Sequence, residues 1–290
     1  MLLPDIRFDL VVFEEASQLP VIKILKVVTK VLRGRGGDSA PAKLILSGDV
    51  QQLPPYVSFW LHEQRQTEPS PADHQLESAL AYAYHRGRSS VTRLTRQYRM
   101  HQDIARLVNS LFYSDEQWST LHWQSTLGVE WLDTSCLDAQ ASVRIEQGTR
   151  SLANVVEAQV VKRLTSGLES EREILVVTPY RAQRSLLEIA DLGPNVSVRT
   201  VDGCQGIEAD VVIVSFVCLN FSNWSAFVAN PRRMNVAVSR ARKRLVLVGN
   251  FQELKESVRR PVVHRGCPHL CGLVEMFESG EFSMKRLDRI

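Results

Sequence analysis

Short apolar runs alternate with helix-like segments along the chain, and this alternation predicts an α/β fold. The run Phe8–Phe13 is rich in β-forming residues and lacks regular polar alternation, as expected for a strand buried on both faces of a parallel sheet. Residues 19–32 have the apolar spacing of a helix, and residues 43–46 form a second such strand. From about Gln75 a longer series of the same kind begins.

The longer series repeats strand and helix several times. We predict strands at residues 91–95, 129–132, 173–177, 196–200, 210–216 and 244–248. We predict helices at residues 76–85, 102–112, 151–166, 182–190, 231–242 and 251–258. Repeats of this order favour a doubly wound, mostly parallel sheet with helices on both faces.

The composition excludes several classes of protein. Of the 290 residues, 44% are hydrophobic and 23% are charged, which is average for a soluble globular chain. No apolar run approaches the roughly 18 residues that a membrane-spanning helix needs, and the first residues lack the basic segment of a signal peptide. The 5 cysteines are odd in number and make no disulfide framework. We therefore expect a soluble, intracellular protein with no membrane partner, in the nucleus or the cytoplasm.

Positive charge is concentrated in two stretches of the chain. Residues 86–106 contain 6 Arg and 1 acid, and residues 228–265 contain 10 Lys or Arg and 2 acids, whereas the net charge of the whole chain is only +3. This distribution indicates local sites for anions more than a general basic surface.

Polar residues follow the predicted strands repeatedly, at the edge where α/β sheets bind ligands. Glu14 and Glu15 follow the first strand and Asp49 follows the second, and further polar segments follow later strands at residues 97–101, 178–180 and 202–208. Two adjacent carboxylates after a buried strand suit a nucleoside-triphosphate site, where one binds Mg²⁺ through water and the other polarises the attacking water. For this pair alone, an ordinary acidic turn is the alternative.

Six segments occur in an order that identifies a family. They are FEEASQ, LSGDVQQLPP, LTRQYRMH, VVTPYRAQ, TVDGCQGIEADVVIVS and NPRRMNVAVSRARKRL, within the region from Phe8 to about Phe251. The series resembles motifs II to VI of superfamily 1 helicases, in the branch of the nonsense-mediated-decay RNA helicase and the Dna2-type nuclease–helicases. The resemblance implies a RecA-like P-loop NTPase fold, and ATP-dependent movement on, or unwinding of, single-stranded or duplex RNA or DNA.

The resemblance also implies residues that act on ATP and Mg²⁺. Glu14 stands where the family has its Mg²⁺-binding Asp, which acts through water, and Glu15 where it has the catalytic Glu. Gln52 corresponds to the sensor of the γ-phosphate and the attacking water, and Arg99 and Arg240 correspond to two arginine fingers. The implied nucleotide-binding residues are Glu14, Asp49, Tyr98, Gln205, Gly206 and Glu208, the last as the ribose contact.

A second implied set of residues lies near the groove for nucleic acid. Binding of single strands in such grooves uses phosphate contacts and base stacking, with little sequence preference. The residues concerned are Pro54, Thr178, Tyr180, Thr200, Asp202 and Arg233. The basic cluster Arg232, Arg233, Arg242, Lys243 and Arg244 either contacts phosphate or covers a solvated helix face.

Two departures from the family pattern bear on activity. Glu14 replaces the usual Asp, which moves the carboxylate at the Mg²⁺ position by one methylene. The sequence G-x-x-x-x-G-K-[S/T] does not occur in the chain, and the glycine-rich segment Gly34–Gly37 follows a helix and lacks the Lys-Ser/Thr pair. Without that lysine and its loop amides we expect Mg-ATP to bind weakly.

These features together predict one complete RecA-like domain and a remnant of another. We assign residues 1–58 to the C-terminal remnant of the first domain, 59–75 to a linker, and 76–290 to the second domain with its C-terminal helices. The predicted function is the C-terminal part of an ATP-dependent helicase, inactive as this chain alone, whose partners include the N-terminal RecA-like half or a protein that supplies it. The alternative is a non-catalytic module, derived from a helicase, that binds nucleic acid or protein.

A late cluster of cysteine and histidine has the ligand types of a zinc site. Cys267 and Cys271 lie among two histidines in the segment 264–271. Their spacing differs from that of the usual zinc-binding pairs, so a loop that enters the last helix is the preferred interpretation.

Overall fold

The computed structural model describes residues 8–33, 43–56, 77–87, 90–113, 118–120, 128–137, 143–149, 151–219 and 226–288. They belong to two compact units, an N-terminal unit of residues 1–93 and a C-terminal unit of residues 94–290. The predicted linker at 59–75 and the glycine-rich segment 34–37 lie outside the described residues. Among the described residues, no helix is both long and apolar enough to cross a membrane.

The N-terminal unit contains a parallel pair of strands joined by a helical crossover. Strand β1 (Leu10–Phe13) pairs with β2 (Lys43–Leu46), with Leu10 opposite Lys43 and Phe13 opposite Leu46. A short 3-10 turn (Ala16–Gln18) follows β1 and leads into helix α1 (Val21–Arg33). Because the strands are parallel and in register, their carboxyl ends lie at the same edge.

Helix α2 (Ala79–His85) belongs to the N-terminal unit, and backbone hydrogen bonds join its start to the residues at the start of α1. The amide of Ala79 donates to Leu19 O at 2.8 Å, and the amide of Val21 donates to Glu77 O at 3.0 Å. The hydroxyl of Ser78 begins the helix by accepting the amide of Ala81 at 3.3 Å.

Four apolar side chains of β1 and β2 are about half-exposed, unlike the fully buried strands that their sequences predict. Leu10 and Leu44 are 47% and 46% exposed, and Val12 and Ile45 are similarly open. Two strands and the helices packed on them do not cover both faces of a sheet.

The C-terminal unit is built on a six-stranded parallel sheet in the order β12-β5-β11-β10-β8-β9. Its strands and those of two small pairs are β3 (Arg96–Gln97), β4 (Ser119–Thr120), β5 (Val129–Asp133), β6 (Val143–Ile145), β7 (Leu152–Asn154), β8 (Ile174–Thr178), β9 (Val196–Thr200), β10 (Ala209–Ser215), β11 (Ala241–Gly249) and β12 (Ser283–Arg286). Its helices are α3 (Gln102–Phe112), α4 (Val155–Ser166), α5 (Arg181–Ile189), α6 (Ala226–Ala229), α7 (Pro231–Val238), α8 (Phe251–Val258), α9 (Pro261–Gly266) and α10 (Pro268–Glu278).

The core of this unit lies on both faces of the sheet. On one face, Val176, Ile213 and Val246 pack against Val161 of α4 and Leu187 of α5. A second packing group is aromatic, where Trp131 of β5 stacks on Phe216 and meets Phe251 of α8 and Phe277 of α10 edge-on. Neighbouring residues of a strand point to opposite faces, so Trp131 and Leu132 serve different layers. The predicted parallel sheet with helices on both faces is therefore confirmed.

Three predicted elements differ from the observed ones. The helix predicted at residues 151–166 begins at Val155, because residues 152–154 form strand β7 and pair with β6. Residues 91–95 form no strand, and only the short β3 follows them. Helix α7 ends at Val238 instead of Arg242, because β11 already begins at Ala241 and pairs there with Ala209 of β10.

Candidate functional site

The first two carboxylates lie directly after β1. Glu15 adopts the left-handed conformation (φ 49°, ψ 38°) and begins the 3-10 turn, which is uncommon for a residue other than Gly and is often found at functional sites. Its carboxylate accepts a hydrogen bond from Gln18 Nε2 at 3.2 Å. Glu14 and Glu15 are both exposed, so their carboxylates are open to a ligand.

The loop after β2 places Asp49 and Gln52 at the same edge of the sheet. The two carboxylate oxygens of Asp49 accept hydrogen bonds from the amide of Gln51 at 2.8 Å and from Gln52 Nε2 at 3.2 Å. This loop also contacts the loop after β1, since the amide of Ala16 donates to Ser47 O at 2.9 Å. Pro54 lies half-buried a few residues further along.

Gly48 permits the close approach of these two loops. A Cβ atom at Gly48 would lie 3.1 Å from the amide nitrogen of Ala16 and 3.2 Å from that of Ser17. A side chain here would therefore separate the loops that carry Glu14, Glu15, Asp49 and Gln52.

In the C-terminal unit, Arg99 and Glu208 form an ion pair. The pair joins Arg99 Nε to a carboxylate oxygen of Glu208, and the other Glu208 oxygen lies 3.4 Å from Arg242 Nη1. Arg99 Nη1 also donates to Ser239 O at 3.4 Å. The side-chain oxygen of Gln97 shapes the loop by accepting the amides of Arg99 at 3.0 Å and Met100 at 2.7 Å. Arg99, Glu208 and Arg240, which the resemblance implies act on ATP, are thus near one another. Arg99 contacts both Glu208 and the carbonyl of Ser239, the residue before Arg240.

Arg240 itself is buried, whereas Arg99 is exposed. The Nε of Arg240 donates to Val236 O at 3.0 Å and one Nη donates to the hydroxyl of Ser239 at 3.2 Å. The guanidinium of Arg240 therefore caps the C-terminal end of α7. Burial raises the pKa of the Cys204 thiol to about 11, and the nearby charge of Arg240 partly opposes that rise. Arg240 therefore lies next to the turn that contains the predicted residues Gln205 and Gly206.

Gln205 and Gly206 lie in the turn after β9. Gly206 has a φ of 76°, a conformation that favours glycine. The Nε2 atom of Gln205 is buried and makes no hydrogen bond to any of the described residues. Such an amide suits a ligand with an acceptor oxygen, as a nucleotide has. Tyr98, the remaining predicted nucleotide contact of this unit, is 63% exposed.

The predicted nucleic-acid residues gather at the carboxyl edge of β8 and β9. Thr178 lies opposite Thr200 in the strand register, and Tyr180 begins helix α5 next to them. Asp202 follows Thr200 and forms an ion pair with Arg233 of α7 at 3.4 Å. Thr178 is fully buried while Thr200 and Tyr180 are partly exposed, so the accessible surface here consists of the latter pair together with Asp202 and Arg233.

Comparison with known proteins decides the family. The family model described as an AAA domain matches residues 76–252, more than half of the chain. The chain belongs to the superfamily 1 helicases. Relatives at 31%, 29% and 32% identity are the 5'-3' DNA helicase ZGRF1 of Mus musculus, the uncharacterized ATP-dependent helicase MJ0104 of Methanocaldococcus jannaschii and the helicase required for RNAi-mediated heterochromatin assembly 1 of Schizosaccharomyces pombe.

These relatives are much longer than the helicase chain described here. The alignments cover 88%, 86% and 74% of this chain, but only 13%, 37% and 22% of the three relatives. The chain thus spans less than two fifths of the length of each of these relatives.

The basic cluster of the last motif is divided between two environments in this helicase chain. Arg232 and Arg233 begin α7, whereas Arg242, Lys243 and Arg244 lie on β11. Arg242 and Lys243 form ion pairs with Asp210 at 3.0 and 2.7 Å, and Arg244 forms one with the buried Glu130. The interpretation as a solvated helix face is therefore wrong for these three strand residues, which pair with carboxylates from distant parts of the chain.

The Cys/His segment forms the junction of two helices. Cys267 lies between α9 and α10, and His269 Nε2 lies 3.0 Å from Val228 O in a buried position. Burial lowers the pKa of His269, and burial raises the pKa values of Cys267 and Cys271. Within the parts of the chain that the structure describes, no three metal-binding side chains come together.

Sequence reasoning missed a buried polar cluster of the helicase chain. It consists of Asn154, Glu157, Gln183 and Ser215, each at most 1% exposed. Burial raises the pKa of Glu157 to about 7, against hydrogen bonds from Ser215 and the amide of Val217, and the charge of Glu253 raises it further. The signal available was the Asn-x-x-Glu spacing of a helix start, and it contained no hint of the partners on β10 and α5.

Proposed function

We propose that this chain is the C-terminal part of an ATP-dependent nucleic-acid helicase. The observation that carries the proposal is the grouping of Arg99, Glu208 and Arg240 around Ser239, in a family whose named members include ATP-dependent helicases. Phosphoryl transfer depends mainly on positioning and on neutralising charge, and an arginine finger contributes roughly 10³–10⁵ in rate. Arg99 is exposed, and a phosphate can replace the carboxylate of Glu208 as its partner. Arg99 is therefore the better placed of the two arginines to reach a phosphate.

The N-terminal unit supplies the acidic part of the proposed machinery. Glu15 would accept the proton of the attacking water, and Gln52 would orient that water and respond to the γ-phosphate. The exposed Glu14 offers the oxygen ligand that Mg²⁺ prefers, directly or through water, and Asp49 fixes Gln52. When bound, Mg²⁺ neutralises phosphate charge.

The carboxyl edge of β8 and β9 is the proposed surface for nucleic acid. Tyr180 offers an aromatic ring for stacking, Thr200 offers a hydroxyl for a backbone contact, and Arg233 offers a charge for phosphate. Thr178 is buried beneath this surface and Pro54 belongs to the N-terminal unit, so both stay predictions from the family resemblance alone. Stacking and phosphate contacts serve RNA and DNA alike, so single strands of both are the proposed ligands.

We further propose that the chain alone does not turn over ATP at a helicase rate. The sequence has no G-x-x-x-x-G-K-[S/T] segment, whose amides and lysine bind the phosphates in this class of enzymes. A partner or a longer form of the chain would supply that loop. The same observation favours the second candidate function, a non-catalytic binding module derived from a helicase. Genomic DNA upstream that encodes the missing loop in frame, about a hundred or more residues earlier, would favour the enzyme.

Binding of single-stranded oligouridine and oligothymidine, measured by fluorescence anisotropy at two salt concentrations, tests the nucleic-acid surface. Arg233→Ala should weaken binding several-fold and reduce the slope of log affinity against log salt by about one, because one phosphate contact is lost. Arg184→Ala is the matched control, since Arg184 lies on α5 in an exposed ion pair with Glu188 at 2.8 Å. No binding by the unmodified chain, or equal losses in both variants, would contradict the proposal.

A further inference from the structure

Val217, the second residue after β10, has a backbone conformation that is strained for its side chain. Val217 has a φ of 71°, and the amide of Cys218 donates to Phe216 O at 2.8 Å across it, which makes a three-residue γ-type turn. A positive φ is a genuine outlier for a β-branched residue, and such turns are rare in proteins. The turn persists only if surrounding groups stabilise it.

Two side chains from the start of α4 bind the backbone of Val217 on both sides. The carboxylate of Glu157 accepts the Val217 amide at 2.9 Å, and the Nδ2 of Asn154 donates to Val217 O at 3.1 Å. Asn154 also accepts the amide of Glu157 at 3.0 Å, which fixes the first turn of the helix. The strained backbone of Val217 is therefore hydrogen-bonded on both sides to the first turn of α4.

The same cluster extends to α5. The hydroxyl of Ser215 donates to Glu157 at 2.7 Å and accepts from Gln183 Nε2 at 3.1 Å. The side-chain oxygen of Gln183 accepts the amide of Asn154 at 2.7 Å. All four side chains are buried, so a lost hydrogen bond is not replaced by water.

The turn packs against the residue proposed to stack on nucleic acid. Val217, Cys218 and Leu152 form a small buried cluster, and the side chain of Tyr180 packs on it. Tyr180 also precedes α5, the helix that Gln183 joins to the cluster. The position of the Tyr180 ring thus depends on the Val217 turn and on α5, and Glu157 contacts the first directly and the second through Ser215.

We propose that Glu157 is a positioning residue that keeps the Phe216–Cys218 turn in its strained form, and thereby places Tyr180 for stacking on single-stranded nucleic acid. This inference rests on the proposed nucleic-acid surface and adds a residue that does not touch the ligand. The carboxylate suits the role because one of its oxygens accepts two hydrogen bonds at once. The amide oxygen of a glutamine at this position has the same accepting capacity.

The test compares three variants of the whole chain. Glu157→Ala removes the acceptor, Glu157→Gln retains it, and Val161→Ala removes buried volume from the same helix without touching the turn. Affinity for oligouridine and oligothymidine is measured where urea unfolding shows each variant to be folded. Hydrogen exchange of the Val217 amide is measured in the same samples. If Glu157→Ala does not fold, Glu157→Asp, which is one methylene too short for the same reach, takes its place.

We expect Glu157→Ala to lower affinity roughly tenfold, the effect of losing one aromatic stacking contact, and to increase exchange of the Val217 amide by at least a similar factor. Glu157→Gln and Val161→Ala should stay within about twofold of the unmodified chain in affinity. If Glu157→Ala leaves either quantity unchanged, or Val161→Ala lowers affinity as much, the inference is wrong while the proposed surface stands. If the unmodified chain binds neither oligonucleotide, the proposed surface is wrong and the inference is overturned with it.

Discussion

Two parallel sheets of this molecule, the β1–β2 pair and the six-stranded sheet, arise from similar sequence patterns and differ in burial. Strands β8 and β10 are buried along their whole length, whereas every residue of β1 and β2 is exposed or partly exposed. Both pairs are short runs of Val, Ile and Leu without polar alternation. The difference lies in what covers them, because α4 and α5 pack on one face of the larger sheet and an aromatic group packs on the other.

The comparison shows that an apolar strand predicts burial only where the chain also supplies the covering layers. Predicted site residues lie at the carboxyl ends of strands in both sheets, although Glu208 and Arg240 directly precede β10 and β11 and therefore lie at amino ends. The smaller sheet positions carboxylates at its carboxyl edge, and the larger sheet positions the hydroxyls of Thr178 and Thr200 and the ring of Tyr180 at its own. The N-terminal unit thus has the predicted carboxylates at the edge of its sheet, although the side chains on the faces of that sheet are exposed or partly exposed.

The largest expected difference between the two sheets is in the free energy of unfolding. Leu245→Ala in β11, at a position that is 0% exposed, should destabilise the C-terminal unit by about 2–5 kcal/mol. Leu44→Ala in β2 should cost roughly 1 kcal/mol or less, because Leu44 is already half-exposed. Urea unfolding followed by circular dichroism measures both, and equal losses would show that the smaller sheet is covered in solution.

A second prediction concerns pH and belongs to the larger sheet alone. The pKa of Glu157 is raised by burial from 4.5 to about 7, so the folded state binds a proton more tightly than the unfolded state. The resulting stability is fully present below about pH 4.5 and is lost as the pH rises through 7, a change of roughly 2–3 kcal/mol. Glu157→Gln should remove this loss. Urea unfolding of both proteins at pH 5 and pH 8 measures it, and parallel pH dependences in the two would refute the assignment to Glu157.

The smallest expected effect is at the edge of the smaller sheet. Glu14→Asp restores the residue usual in the family at the proposed Mg²⁺ position, without changing the charge. In a form of the protein that includes the phosphate loop, we expect ATPase activity to be equal or higher. Steady-state turnover with single-stranded nucleic acid measures it, with Glu15→Asp as the matched control, which should lower activity. A large loss in Glu14→Asp would show that the glutamate has a role of its own.

Much of the fold and part of the candidate site could be predicted from the sequence. The parallel sheet follows from the alternation of elements, and the adjacency of Thr178 and Thr200 follows from the common edge of parallel strands. The ion pair of Arg99 with Glu208 could not be predicted, because residues more than a hundred positions apart meet only once the fold is formed. The same reason applies to Arg242, which was expected on a helix and lies in β11 beside Asp210.

Backbone strain was also beyond the reach of the sequence. Nothing in the letters around Val217 indicates a positive φ, since glycine or asparagine would be the usual residue there. The backbone of Val217 is hydrogen-bonded to Asn154 and Glu157, about sixty positions earlier. The burial of Arg240 could not be predicted either, because its motif implies a side chain that extends toward a phosphate.

We propose that this chain alone does not turn over ATP, because its sequence lacks the G-x-x-x-x-G-K-[S/T] segment that binds the phosphates in this class of enzymes. ATP turnover by the purified chain, with and without single-stranded RNA and DNA, tests it most directly, and Glu15→Gln reports the background from contaminants. We predict that the unmodified chain and Glu15→Gln have the same turnover under every condition. Turnover that nucleic acid stimulates and Glu15→Gln abolishes would contradict the claim.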